Sequence, residues 1–153
     1  MTMIYRKARI SDMEEIHGLI NHYADKGLML ARSRAMLYEF LRDFAVTEIE
    51  GKIVAAGALH ILWEDLAEIR ALAVMPEYAG KGIGKGLVEY FLKESYELGI
   101  PKIFALTYQQ GFFEKCGFTV VGKESLPHKV WKECIECPKF PNCEEIALVW
   151  ELK

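Results

Sequence analysis

The chain has 153 residues, 52% of them hydrophobic, with 19 basic and 22 acidic side chains and a formal net charge of −3. That length suits one domain, expected over 1–153, with a proper core, and the composition excludes broad disorder. The slight acidity gives no support for nucleic-acid binding. No apolar run approaches the ~20 residues that a membrane helix needs. Met1 to Arg9 shows no apolar core with a cleavage site after it, so a cytoplasmic protein is expected, whose four cysteines are thiols or ligands rather than disulfides.

In chain order, Met3 to Ala8 reads as a short strand. Ser11 and Glu14 have capping-box spacing, and Met13, Ile16, Leu19, Ile20 and Tyr23 then recur at helical intervals until Gly27. Leu28 to Ser33 is a connection, and Arg34 to Phe44 a second helix with Leu37, Phe40 and Leu41 inward. Ala45 to Glu50, Ile53 to Trp63 and Leu66 to Met75 read as strands joined by tight turns, so antiparallel pairing is expected. Gly82 to Leu98 is the clearest helix, with Ile83, Leu87, Val88, Phe91 and Leu92 on its apolar face and Gly99 as its stop. A strand (Lys102 to Thr107), a short helix (Gly111 to Cys116) and two strands (Phe118 to Gly122, Glu145 to Glu151) follow, the last two separated by a long segment from Lys123 to Glu144. No internal repeat or linker is evident.

The most informative stretch runs from Leu72 to Lys85: an apolar strand, a turn, then a glycine-rich loop opening into a helix. Such a junction cradles anions, because glycine lets the backbone approach and the amides and dipole of the helix start point at the ligand. The dinucleotide pattern G-x-G-x-x-G fails in both registers, at Lys85 and at Leu87, and the P-loop pattern fails at Ala79 and Gly86. Val74-Met75-Pro76-Glu77-Tyr78-Ala79-Gly80-Lys81-Gly82-Ile83-Gly84 resembles the pyrophosphate loop of the GNAT acyltransferases, V-x-P-x-x-[RQ]-G-x-G-[IV]-G, departing only at Ala79. A glycine-rich surface turn is the plain alternative, but three alternate glycines at a helix start are costly without a reason. The order of elements also resembles GNAT topology. Phe112-Phe113-Glu114-Lys115-Cys116-Gly117-Phe118 resembles the family's F-[YF]-x-[KR]-x-G-F signature. The resemblance implies an α+β, α/β/α-layered fold with a mixed central sheet of six to seven strands and about four helices. It also implies acetyl-CoA as cosubstrate, held by Leu72, Ala73 and Val74, by Ala79, Gly80, Lys81, Gly82, Ile83, Gly84 and Lys85, and by Phe112, Phe113 and Lys115. Leu72 and Val74 would bond the pantetheine like an added strand, beside a bulge that splays the fourth strand from the fifth.

A closer resemblance is to the N-acetylglutamate synthases. Ala67-Glu68-Ile69-Arg70-Ala71-Leu72-Ala73-Val74, Ile103-Phe104-Ala105-Leu106-Thr107 and Ser125-Leu126-Pro127 look like their counterparts there, and Lys129-Val130-Trp131 with the later cysteines resembles the short, single-domain bacterial branch. That resemblance implies an amino-acid N-acetyltransferase of arginine biosynthesis, acting by direct transfer in a ternary complex. Acetylation of an amine requires a positioned, polarised thioester, a base for the ammonium and a proton for the thiolate. Glu68 is the candidate base, and its apolar strand setting would raise its pKa toward a useful value; an idle exposed carboxylate is the alternative, and Glu64 the second choice. Thr107 and its neighbour Tyr108 are the candidates for the sulfur, since Phe113 stands where many relatives place a tyrosine; water also suffices as the acid.

An acidic amino acid must have its carboxylates paired once desolvated. Arg70 shares the strand face of Glu68, Arg32 and Arg34 lie between the first two helices, and Lys129 lies in the late loop; for any one alone a solvated surface charge is the competing reading. Cys134, Cys137 and Cys143 with His128 offer four zinc-type ligands, but only one C-x-x-C is present, so no metal is expected and a loop packed by reduced thiols is preferred. Cys116 is expected in the core. Two other functions stay open: a GNAT enzyme for another small amine, amino acid or protein N-terminus, and a non-catalytic acyl-CoA-binding module, favoured by Ala79 and Phe113. The sequence leaves a homodimer open and does not decide feedback by arginine.

Overall fold

A computed structural model describes residues 2–126 and 145–152. Among these residues eleven regular elements follow one another, with short 3-10 turns between them: β1 (Met3–Lys7), α1 (Met13–Ala24), α2 (Arg34–Glu39), β2 (Phe44–Ile49), β3 (Lys52–Trp63), β4 (Leu66–Val74), α3 (Ile83–Leu98), β5 (Lys102–Thr107), α4 (Gln110–Lys115), β6 (Thr119–Val121) and β7 (Ile146–Glu151). The seven strands form one sheet in the order β1-β2-β3-β4-β5-β7-β6. Every neighbouring pair is antiparallel except β4 and β5. This is the expected mixed sheet with four helices.

Local chemistry explains the connections. Glu50 and Gly51 both have positive φ (50° and 82°), the geometry of a two-residue hairpin turn whose twist matches the flanking strands β2 and β3. Gly99, at φ 83°, ends α3 as expected from its sequence. The start of α1 differs from expectation. The capping pair is Arg9 with Asp12, whose carboxylate accepts the Arg9 N–H at 2.7 Å, while Glu14 turns outward to Arg34. Asp12 wins because it is also held by the Arg6 guanidinium, at 2.8 and 3.0 Å. The second helix is shorter than expected, stopping at Glu39 before a 3-10 turn over Leu41–Asp43. Its start is set by Ser33, whose hydroxyl accepts the Met36 N–H.

The sheet is covered on both faces. One core, around Leu59, Ile69, Leu87, Phe91, Ile103 and Phe113, lies under α3 and α4. The other, around Ile16, Ile20, Leu37, Val46, Ala58 and Ala73, lies under α1 and α2. Burying side chains of this size contributes about 1.5–3 kcal/mol each.

A candidate acetyl-transfer site at a parting of two strands

Up to Arg70, Ala67 and Ile69 of β4 pack into the core under α3 and α4, and Glu68 and Arg70 point to the opposite face of the sheet. Against β3 the strand then slips: Ala58 faces Arg70, but Ala56 faces Ala73, so three steps on β4 match two on β3. The extra residue is Ala71, at φ 52°, an uncommon value for a residue with a side chain. The bulge resets the alternation. Ala71 and Ala73 pack toward α1 and α2, whereas Leu72 and Val74 pack toward α3. Gly57 faces the bulge, and a side chain there would stand 2.9 Å from the Leu72 Cδ1.

Beyond the bulge β4 leaves β5. Their parallel ladder runs only from Leu66 to Glu68, opposite Lys102 to Phe104, although both strands continue. The Met75 N–H donates to the Val54 carbonyl at 2.8 Å. By the alternation of an antiparallel ladder, the N–H and C=O of Val74 therefore face away from β3, into the parting. Tyr23 of α1 donates its hydroxyl proton to that Val74 carbonyl.

At the end of β4 the chain makes a short 3-10 turn over Pro76–Tyr78 and passes Ala79 (φ −64°) to enter α3. Gly80 and Gly82 have φ 75° and 81°, with open space where a Cβ would stand. The first helical bond runs from the Gly86 N–H to the Gly82 carbonyl, so the amides of Ile83, Gly84 and Lys85 precede the ladder of α3 and point out of its end. Lys81 and Lys85 are exposed beside this cradle, with the Lys81 ammonium 5.5 Å from the Tyr78 ring centre. Gly84 serves differently: a Cβ there would meet the Phe112 ring at 3.2 Å, so this glycine lets α3 approach α4. Gly86 likewise makes room for Tyr5.

The expected signature helix is α4. Phe112 is half-buried and Phe113 is buried edge-on between Phe112 and Phe118, so Phe113 is a core side chain here. Lys115 is exposed, and Cys116 packs against the core as expected, with burial pushing its thiol pKa up. At the end of β5 the Thr107 hydroxyl accepts the Gln109 N–H at 2.9 Å, which leaves its proton available to donate. Tyr108 follows, half-buried.

On the α1 and α2 side of the parting, Glu68 is 7% exposed and accepts a 2.7 Å hydrogen bond from the Arg70 Nε. Its setting is therefore not purely apolar, as the sequence suggested, but includes a cation on the same face. Arg70 lines a small recess, open to solvent, together with Arg32, Leu37, Phe40, Asp43 and Ala71. Arg32 is fixed there by Asn21, whose amide donates to the Arg32 carbonyl at 2.9 Å and accepts its N–H at 3.3 Å. Arg34 stands elsewhere, in an exposed pair with Glu14 at 2.9 Å. The candidates Lys129, His128, Cys134, Cys137 and Cys143 lie outside the described residues. Among the described residues no cluster of His, Cys, Asp or Glu is arranged to hold a metal ion, and no helix is long and apolar enough to cross a membrane.

Sequence reasoning missed Asn21, Tyr23 and a pair formed by His60 and Asp43, with Nδ1 to Oδ2 at 2.6 Å. Only the pairing across the fold shows their proximity.

A glycine cradle at a helix start, set at the mouth of a parting between a bulged strand and its parallel neighbour, defines an acyl-CoA-dependent transferase. The chain belongs to the Acetyltransferase (GNAT) family, whose profile matches residues 12–118. It is 40% identical over 144 residues to an uncharacterised N-acetyltransferase of Chlorobaculum tepidum, covering 94% of this chain and 93% of that protein. It is 38% identical over 133 residues to an amino-acid acetyltransferase of Mycobacterium tuberculosis, covering 85% of this chain and 76% of that one. The N-acetylglutamate synthase of Neisseria gonorrhoeae, solved with coenzyme A and N-acetyl-glutamate, superposes with a TM-score of 0.89 at 27% identity, over 100% of this chain and 36% of that one. The protein is thus an acetyl-CoA-dependent N-acetyltransferase. The open cradle at Gly80 and Gly82 and the inward-facing Val74 amide fit a ligand with a pyrophosphate at one end and amides along an extended arm.

Proposed function

We propose that the protein transfers acetyl from acetyl-CoA to the α-amine of L-glutamate, as a cytoplasmic enzyme of arginine biosynthesis. The observation that carries the reading is the buried Glu68–Arg70 pair beside a recess that also holds Arg32. Two guanidinium groups on one recess suit an acceptor with two carboxylates, because desolvated carboxylates need charged, hydrogen-bonding partners. The naming of relatives as amino-acid acetyltransferases supports the acceptor class, and the N-acetyl-glutamate bound by the Neisseria enzyme supports the choice within it.

In this reading acetyl-CoA supplies the activated acetyl thioester. Val74 and Leu72 align its arm along β4, and the amides of Ile83, Gly84 and Lys85 with Lys81 hold its phosphates. Ala79 contributes backbone alone where relatives of the motif carry Arg or Gln. Arg32 and Arg70 orient the acceptor. Glu68, ionised beside Arg70, takes a proton from the ammonium through one water. Thr107, with its lone pair engaged by Gln109, directs its hydroxyl proton at the sulfur. Tyr108 stands next to it as the other donor. Phe112 borders the arm, with Phe113 fixing it from behind. Lys115 is exposed on α4, Arg34 stays in its surface pair with Glu14, and Lys129 belongs to the segment outside the described residues.

Thiol release from acetyl-CoA across glutamate, glutamine, aspartate and ornithine tests the proposal. Turnover confined to glutamate supports it. Turnover with another of these amines discards the pathway and keeps the amine-transfer chemistry. Tight acetyl-CoA binding without turnover turns the reading to a peptide acceptor or a binding module. Glu68→Gln should lower kcat at least ~100-fold; unchanged turnover removes Glu68 as base.

A further inference from the structure

His60 of β3 is the direct cross-strand partner of Glu68 on β4, and Ala58 is that of Arg70. Ala58 packs in the core under α1 and α2, so His60, two residues on, shares that face with Glu68 and Arg70. Directly opposed residues place their Cβ atoms about 4.5–5.5 Å apart. The His60 ring is held from the other side. Its Nδ1 lies 2.6 Å from the Asp43 Oδ2, and Phe40 packs edge-on with ring centres 5.5 Å apart. A carboxylate only accepts, so Nδ1 carries a proton, and in the neutral ring Nε2 then keeps its lone pair. Asp43 and Phe40 both line the recess that holds Arg32 and Arg70. The imidazole and carboxylate are each about a quarter exposed, at 23% and 26%, so the pair reaches water.

A base that takes a proton each turnover must also lose it. Glu68 is 7% exposed, so its own access to bulk water is poor. We propose that His60, oriented by Asp43, is the relay for Glu68: it removes the proton taken from the acceptor ammonium and delivers it to water in the recess. The inference rests on Glu68 being the base. The ammonium N–H breaks and a Glu68 O–H forms. That O–H breaks as the His60 Nε2–H forms, with Nδ1–H still donated to Asp43. The Nε2 proton then leaves to water. One proton passes from amine to solvent, and no electron changes hands. The charged groups facing the ring are Asp43, from the turn after α2, and Glu68 with its partner Arg70, from β4. His60 orients and discharges the base and is a positioning residue.

The test uses the full chain, with acetyl-CoA and either L-glutamate or L-glutamine as acceptor. His60→Ala and His60→Gln should each lower kcat about 10-fold or more, with the KM for acetyl-CoA within about 2-fold. Imidazole in solution should restore His60→Ala, and Asp43→Asn should show a similar loss of kcat. Ring-nitrogen NMR of the free wild-type protein should find His60 protonated at Nδ1, a preference lost in Asp43→Asn. Wild-type turnover in His60→Ala beside an inactive Glu68→Gln overturns the relay and leaves the base standing. Full activity in Glu68→Gln overturns both. A loss in His60→Ala that imidazole does not restore assigns the ring a structural role and overturns the relay. Where the variants do not fold or neither acceptor turns over, the NMR result decides, and protonation of Nε2 alone overturns the proposal.

Discussion

Asp12 joins three parts of the chain that must meet before the site exists. Its carboxylate accepts two bonds from Arg6 of β1, at 2.8 and 3.0 Å, and one from the Arg9 backbone at 2.7 Å, at the entrance to the helix that carries Asn21 and Tyr23. The Arg6 guanidinium also reaches Glu48 of β2 at 3.0 Å. The side chains of Arg6 and Asp12 are 15% and 7% exposed, so solvent screens the pair little. Asp12→Asn keeps one accepting oxygen but removes the charge and the second acceptor. Charge-assisted bonds contribute about 1.5–3 kcal/mol each, and a broken buried pair costs about 3–5. Glu48 retains part of the interaction, which puts the expected loss near 3 kcal/mol. At about 3 °C per kcal/mol for a chain of this length, Tm should fall by roughly 9 °C at pH 7.

The pH dependence follows from the same contact. The Arg6 hydrogen bond, working against desolvation and aided by the Arg9 amide, holds the Asp12 carboxyl below the usual carboxylate range. A depressed native value contributes stability above the unfolded value of about 3.9, and that contribution fades as pH falls through the lower native value. The gap between wild type and Asp12→Asn, measured by thermal melts followed by circular dichroism, should therefore be full near neutral pH and close in strong acid, as the pH falls through the lowered native value. A gap under about 2 °C at pH 7, or one that persists undiminished in strong acid, would refute the reasoning.

Two further substitutions bear on the cosubstrate cradle. Gly82→Ala places a Cβ at φ 81° in open space, so it strains the loop by about 1–2 kcal/mol without a clash. Relaxation of that strain turns the amides of the helix start away, and acetyl-CoA affinity by calorimetry should fall about 10-fold, with kcat at saturation nearly unchanged. Gly57→Ala forces a Cβ to within 2.9 Å of the Leu72 side chain and 3.5 Å of its Cα. The expected cost is about 1–3 kcal/mol of stability, together with weaker acetyl-CoA binding, since the bulge must move. Binding equal to wild type would detach the bulge from the cosubstrate.

The elements were legible wherever periodicity was strong: α3 and the strands β3 to β5 begin and end within a residue of their expected limits. Local rivals were not. Ser11 and Glu14 have the right spacing for a capping box, but Asp12 is closer to Arg6, and only the fold brings Arg6 there. The glycine loop was legible as a phosphate cradle, yet Gly84 is needed for Phe112 and Gly86 for Tyr5, contacts that join residues 28 and 81 positions apart. Glu68 with Arg70 was visible from a spacing of two on one strand. His60 was not, because its neighbours Asp43 and Glu68 are set by strand register and by the turn after α2.

The three-residue ladder between β4 and β5 gives the sheet four margins instead of two. Exposed margins recruit foreign strands, and proteins ordinarily protect them. Here the two inner margins converge as a wedge. An intruding strand paired on both sides needs margins about 9.6 Å apart, twice the normal strand spacing, and a wedge offers that width at one depth only. A slender chain of amides can bridge the wedge where a polypeptide cannot. In the proposed arrangement, loading with acetyl-CoA finishes the sheet, and at 100 times its dissociation constant it would add about 2.7 kcal/mol to the folded state. The thioester supply of a cell would govern how long this enzyme survives proteolysis as well as how fast it turns over.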